Sequence, residues 1–101
     1  MSNAERFFAL FDRIVGGYPL HMECYYSRTM DWIVKVWKTG CAADYPDAEK
    51  EGNDVVLVHV WTCVMDEAFE LAHRLLAEWL QRFEPRWYET AVSYDETHDD
   101  Q

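Results

Sequence analysis

His59, Cys63 and His73 form the one local group of metal-ligating side chains in this sequence. A zinc centre needs three or four such groups converging on one point. His59 and Cys63 share strand parity if the strand continues through both, but His73 falls on a helix among charged residues, away from them. No metal is therefore expected. Cys24, Cys41 and Cys63 are odd in number and include no C-x-x-C pair, which disfavours a disulfide framework or a zinc ribbon and points to reduced thiols. Nucleophilic catalysis needs a base beside a thiol or hydroxyl, and nothing in the sequence marks one as activated. Glu67 and Glu70 pair acids on an exposed helix surface, where pKa values resist the large shifts that acid–base catalysis uses. Gly16-Gly17 follows a helix and leads into Tyr18-Pro19, so it is no phosphate cradle behind a strand. Neither an enzyme activity nor a cofactor is expected.

Charge is more informative. The net charge is −10 over 101 residues, and it is unevenly placed. Residues 1–40 carry four acids and five bases, whereas residues 41–101 carry fifteen acids and four bases, a local balance of −11. A nucleic acid or an anionic membrane requires a basic surface and is disfavoured as a direct ligand. A basic protein surface is the expected partner. The acids concentrate in the irregular stretch 39–54, TGCAADYPDAEKEGND, where Asp44, Asp47, Glu49, Glu51 and Asp54 face a single Lys50. Their spacing does not match an EF-hand. These five acids and Tyr45 are candidate partner-binding residues.

The elements that would present them follow from periodicity. Asn3 is expected to cap a helix over about 4–15, with Phe7, Phe8, Leu10, Phe11, Ile14 and Val15 at helical spacing and Gly16-Gly17 ending it. Residues 20–28 and 30–38 alternate like two half-buried strands of an antiparallel hairpin. Val55–Thr62 reads as a third strand, with Val56, Val58 and Val60 on one face and Leu57, His59 and Trp61 on the other. Asp66 is expected to cap a long helix whose stripe, Met65, Phe69, Ala72, Leu76, Trp79 and Phe83, covers the sheet. Glu84-Pro85 ends it. The expected fold is α+β, α-β-β-β-α, with a short C-terminal extension: a single domain over 1–88 and an acidic tail, 89–101, expected to be mobile. Half the residues are apolar and 16% aromatic, enough for a packed core.

A meander of these strands would place Tyr25, Ile33, Trp37, Leu57, His59 and Trp61 on one sheet face. Large aromatics on an uncovered sheet mark an interface, so Trp37, Trp61 and Tyr25 are candidate anchors, either for a partner or for a homodimer. The competing expectation is that the first helix or the C-terminal aromatics cover that face.

The order helix, three strands, helix resembles the double-stranded RNA-binding domain over residues 20–83. That family opens its last helix with a lysine-rich phosphate contact, whereas here the opening is Asp66-Glu67-Ala68-Phe69-Glu70; the resemblance implies topology, not RNA binding. In size, acidity, the 44–54 loop and element order the chain also resembles small phage anti-CRISPR inhibitors, and in the same general respects toxin-neutralising immunity proteins. The first of these implies a small acidic inhibitor that occupies the basic surface of a nucleic-acid-handling complex; the second leaves a toxin-neutralising immunity protein as an alternative, and the aromatic sheet face leaves a self-associating adaptor or assembly protein. No apolar run approaches membrane-spanning length and MSNAERFF lacks a signal-peptide core, so a soluble protein of the cytoplasm, the host's if phage-encoded, is expected.

Overall fold

In the computed structural model, which describes residues 1–14 and 20–98 with side chains through Ser93, helix and sheet alternate as the hydrophobic periods require. The order is α1 (Asn3–Asp12), β1 (Leu20–Ser27), β2 (Asp31–Lys38), a 3₁₀ turn (Ala42–Asp44), β3 (Lys50–Glu51), β4 (Asp54–Thr62), α2 (Met65–Phe83) and α3 (Pro85–His98). Helix α1 stops at Asp12 with Arg13 as its C-cap, about three residues short of the expected end near residue 15, so the expected glycine stop is corrected; Val15, Gly16 and Gly17 themselves lie outside the described residues. So do the acids Asp99 and Asp100.

The strands form one antiparallel sheet in the order β1-β2-β4-β3, four strands where three were expected. The additional strand, β3, sits in the stretch read as irregular. It is only two residues long, too short to show a period, and it exists because Gly52, at φ 64°, closes a two-residue hairpin onto Asp54 and Val55. The β1–β2 turn closes on Asp31, the one described non-glycine residue with positive φ, 61°. Aspartate tolerates this left-handed conformation better than most residues.

Both expected helix caps are corrected by one or two positions. Ser2, not Asn3, caps α1: its hydroxyl accepts from the Glu5 amide at 3.1 Å, and Glu5 reaches back to the Ser2 amide in a capping box. Helix α2 starts at Met65 after Val64, which supplies no side-chain cap, so Asp66 lies inside the first turn. Asn3 and Asp66 are used on each other instead. The Asn3 Nδ2 donates to Asp66 Oδ1 at 3.0 Å and tethers the start of α1 to the start of α2.

A register shift between Val36 and Trp37 changes which β4 residues face the helices. Val34 pairs with Val60 and Val36 with Val58, but Trp37 then pairs with Val56, leaving Leu57 as the extra residue of a bulge. Side-chain parity reverses there. Val55 and Leu57 join Val58 and Val60 in the core cluster, whereas Val56 falls on the Trp37 face. Strict alternation had put Val56 inward and Leu57 outward, and both assignments are overturned.

The core lies between this inner sheet face and α2, which presents Ala68, Ala72, Leu76 and Leu80, all fully buried. Phe7 of α1 packs against Phe69 with ring centroids 5.9 Å apart. Pro85 ends α2 but also opens a further helix, since proline fits a first turn where no amide partner exists. Along α3, Ala91 is 2% exposed and Trp87 and Tyr88 pack on the core, so the folded body continues past residue 88.

Replacing Leu76 with Ala should cost about 2–5 kcal/mol in denaturant unfolding. At the hairpin, Asp31→Gly should leave stability equal or raised, whereas Asp31→Val should lower it by about 1–2 kcal/mol; equal stabilities for the two variants would show that Asp31 carries no left-handed strain.

Candidate functional site

The face of the sheet turned away from the helices is built from three cross-strand rows. His21, Trp37 and Val56 form one, Glu23, Lys35 and His59 the next, and Tyr25, Ile33 and Trp61 the third. Each row contains one residue from β1, β2 and β4, and the period of two puts them all on the same side. The face is open toward its Tyr25 and Trp61 end, where Trp61 is 63% exposed and Tyr25 46%, whereas Val56 at the other end is 5% exposed. The expectation that the first helix or Trp87 and Tyr88 shield this face is thereby corrected, because those side chains pack against the core on the other layer.

Aromatic and charged groups interlock at one end of the face. His21 stacks on Trp37 with ring centroids 5.5 Å apart and planes 22° apart. The Lys35 ammonium donates to Glu51 Oε2 at 2.9 Å and lies 5.6 Å from the Trp37 ring centroid. A shallow hollow of about 230 Å³ forms among Lys35, Trp37, Glu51, Asp54 and Val56. Asp54 also accepts from the Gly40 amide at 3.1 Å, which holds the preceding loop against the β3–β4 hairpin. Of the nine candidate partner-binding residues, Tyr25, Trp37, Trp61, Glu51 and Asp54 are thus brought to one face.

The other four are placed elsewhere. Asp44 and Asp47 lie beside the end of α2, around a hollow shared with Arg82 and Glu84. Asp47 and Glu49 border a second hollow with Glu78, Trp79 and Arg82. Tyr45 is corrected outright as an exposed anchor: it is 8% exposed and packed on Trp79, ring centroids 5.2 Å apart. Its hydroxyl accepts from Lys38 Nζ at 3.1 Å and donates to Glu84 Oε2 at 2.7 Å. Burial pushes the Tyr45 phenol well above its ordinary range, and the Glu84 carboxylate adds to the shift. Lys50, the single base of the loop, donates to the Pro46 and Ala48 carbonyls at 2.8 and 3.1 Å, so it shapes the loop backbone.

The chemically reactive groups are dispersed. Burial raises the pKa of Cys24, with Glu23 adding to it, and burial likewise raises that of Cys41 against the opposing pull of Lys38. Such shifts favour the thiol over the nucleophilic thiolate. His59 is exposed on the open face, whereas His73 lines a cavity among the helices. Among the described residues no group of three or more His, Cys, Asp or Glu side chains is placed to share a metal ion. No described helix is long and apolar enough to cross a membrane.

Sequence reasoning assigned no role to His21, Glu23 or Lys35, which complete the open face. The alternation in β1 carried that signal, since His21, Glu23 and Tyr25 share one parity with Trp37's row partners. No protein-family model matches the chain, and no curated protein or solved structure is significantly similar to it.

The Tyr45 linkage has a defined sign. A phenol whose folded-state pKa exceeds its unfolded value contributes stability that is complete below about pH 10 and is lost as the pH rises above it. Wild type should therefore lose stability more steeply between about pH 10 and 11.5 than Tyr45→Phe, measured by urea unfolding at each pH. Equal slopes would show that the phenol does not contribute.

Proposed function

We propose that the protein is a small acidic binding protein whose open sheet face and β3–β4 hairpin dock onto a basic surface of a nucleic-acid-handling protein and block it, an inhibitor of the anti-CRISPR type. The observation that carries this reading is the meeting of Trp37 with Glu51 and Asp54 at one edge of an uncovered aromatic face. Exposed tryptophan and tyrosine supply contact area at small entropic cost, and rim carboxylates select a cationic partner and steer its approach. Phosphate itself would be repelled by the chain's net charge of −10.

A second reading draws on β1. Among the described residues this eight-residue strand is an edge, paired only with β2, and Cys24, Tyr25 and Tyr26 are exposed along it. Apart from His21, Glu23 is the one acid or base along it, and a long edge so lightly guarded is a template for strand pairing, so self-association through β1 and the neighbouring face is the competing role.

Gel-shift assays with purified CRISPR effector complexes test the first reading. Stoichiometric protein should abolish target-DNA binding by a susceptible effector. Trp61→Ser should weaken inhibition at least about tenfold while changing stability by less than about 0.5 kcal/mol. The pair Glu51→Gln and Asp54→Asn should weaken it and flatten its salt dependence, whereas Asp44→Asn with Asp47→Asn, on the far side of the loop, should not. Inhibition that responds equally to both acid pairs would remove the sheet-face assignment, and DNA binding unchanged for every effector class would remove the inhibitor reading. Light scattering over a concentration series tests the second reading: a strictly monomeric wild type would end it.

A further inference from the structure

Strand β1 exposes side chains on both sides of the sheet edge. Antiparallel pairing with β2 uses the backbone groups of alternate residues, so every second amide and carbonyl of β1 is directed away from the sheet. Tyr25, on the open face, is 46% exposed, and Tyr26, on the helix side, is 47% exposed. Cys24 is exposed beside Met22, its Sγ 3.5 Å from the Met22 Sδ. The Tyr26 ring lies against Trp32 with centroids 4.9 Å apart. Helix α1 packs on α2, and α2 covers β2 and β4, so Cys24 and Tyr26 lie beyond the helix layer's cover.

Charge and symmetry decide what such an edge fits. The excess of acid lies in residues 41–101, whereas residues 1–40, which include β1, carry four acids and five bases. Two copies meeting at β1 therefore join their near-neutral halves and hold their β3 strands at opposite ends. A closed pair of identical strands is related by a two-fold axis and runs antiparallel. Residues directly opposite must share a sheet face, so an axis perpendicular to the sheet passes through one residue and not between two. Within Leu20–Ser27 the longest overlaps are residues 20–26 centred on Glu23 and residues 21–27 centred on Cys24, seven residues each. The first sets Glu23 against its own copy, and like charges directly opposite are destabilising. The second sets Glu23 opposite Tyr25 of the second copy, Met22 opposite its Tyr26 and Cys24 opposite its Cys24. The two Glu23 carboxylates then fall on a diagonal, about 7–8 Å apart at the backbone.

We propose that the chain forms a two-fold dimer by antiparallel pairing of β1 with β1 of a second copy, centred on Cys24, so that the two four-stranded sheets become one continuous sheet. The dimer rests on the self-association reading above and fixes its axis and register. On the open face the rows of the two copies join through the Glu23 and Tyr25 pairs. On the helix side Met22 and Tyr26 of each copy cover one another, with the Cys24 pair between them, and the exposed rings are withdrawn from water. Strand β3 and its copy become the outer strands, seven strand spacings or about 34 Å apart. Glu51 and Asp54 stay accessible at both ends, so the dimer presents two acidic edges, and a partner with two basic surfaces at that span gains avidity.

Light scattering of the full chain over a concentration series should fit a monomer–dimer equilibrium, with half the chains paired at or below about 100 µM. In a Cys63→Ser background a short bismaleimide should link most paired chains through Cys24. Cys24→Ser with Cys63 retained should not be linked, because Cys63 follows β4, away from the axis. Charge reads the register independently. Tyr25→Lys sets a lysine opposite each Glu23, whereas Tyr25→Glu adds two like-charge pairs, so the Glu variant should dimerise at least about tenfold more weakly than the Lys variant. His59→Lys and His59→Glu make the same charge change on β4, two strands from the axis, and should differ by less than about threefold. A wild type that stays monomeric to about 1 mM overturns the dimer together with the self-association reading. A dimer linked through Cys63 and not Cys24, or one that responds alike to the Tyr25 and His59 charge pairs, overturns the Cys24-centred pairing and leaves self-association standing.

Discussion

One contact determines how the rest of this molecule is arranged: the close packing of α2 on the inner face of β2 and β4. Ala68 and Ala72 are small enough for the helix to approach the sheet, and both are fully buried. Leu76 and Leu80 continue the stripe over Val34, Val36, Val58 and Val60. Burying each large side chain contributes roughly 1.5–3 kcal/mol before entropy is subtracted, so this seam supplies much of the fold's stability. A chain of 101 residues has few further elements to spend. Helices α1 and α3 pack on α2, and the sheet retains one uncovered face. The molecule measures 41 × 37 × 18 Å, the proportions of two layers. The open face is therefore a consequence of covering the core from one side only.

Periodicity made most of this legible. The alternation over 20–28, 30–38 and 55–62 and the helical spacing over 66–83 correspond to β1, β2, β4 and α2 within a residue or two at each boundary. What failed was local. A bulge adds one residue without any compositional mark, so Val56 and Leu57 exchanged faces. β3 is too short for a period to exist. Ser2 and Asn3 are both good N-cap residues, and only the reciprocal bond with Glu5 distinguishes them.

The partner-binding candidates divide for a physical reason as well. Tyr25, Trp37 and Trp61 were identified from strand parity, a geometric rule, and they share the face it assigns. The loop residues were grouped by nearness in sequence alone, which says nothing about direction. Tyr45 is the clearest case. Surrounded by acids in an irregular stretch, it looks like a surface residue, yet its ring fills space beside Trp79 and Phe83. Burying that hydroxyl is tolerable because Lys38 and Glu84 satisfy it from opposite sides. The loop is thereby pinned to the body, and its acids are carried to two different sides of the hairpin.

That division bears on how the open face would meet a cationic partner. The charged residues projecting from its rows and the adjoining hairpin are Glu23, Lys35, Glu51 and Asp54, and Lys35 is already bonded to Glu51 at 2.9 Å. The Glu51 side chain remains 66% exposed and the Lys35 side chain 24%, so the carboxylate is the more accessible member of the pair. An exposed ion pair contributes at most about 1 kcal/mol, and an incoming guanidinium that binds Glu51 bidentately offsets its loss. Lys35 need not become an unpaired buried charge, because Glu23 stands opposite it on β1 and the Trp37 ring lies within cation–π range. A cation arriving at Glu51 would therefore be met by re-pairing of the face's own charges, with the Trp37 ring beside the new contact.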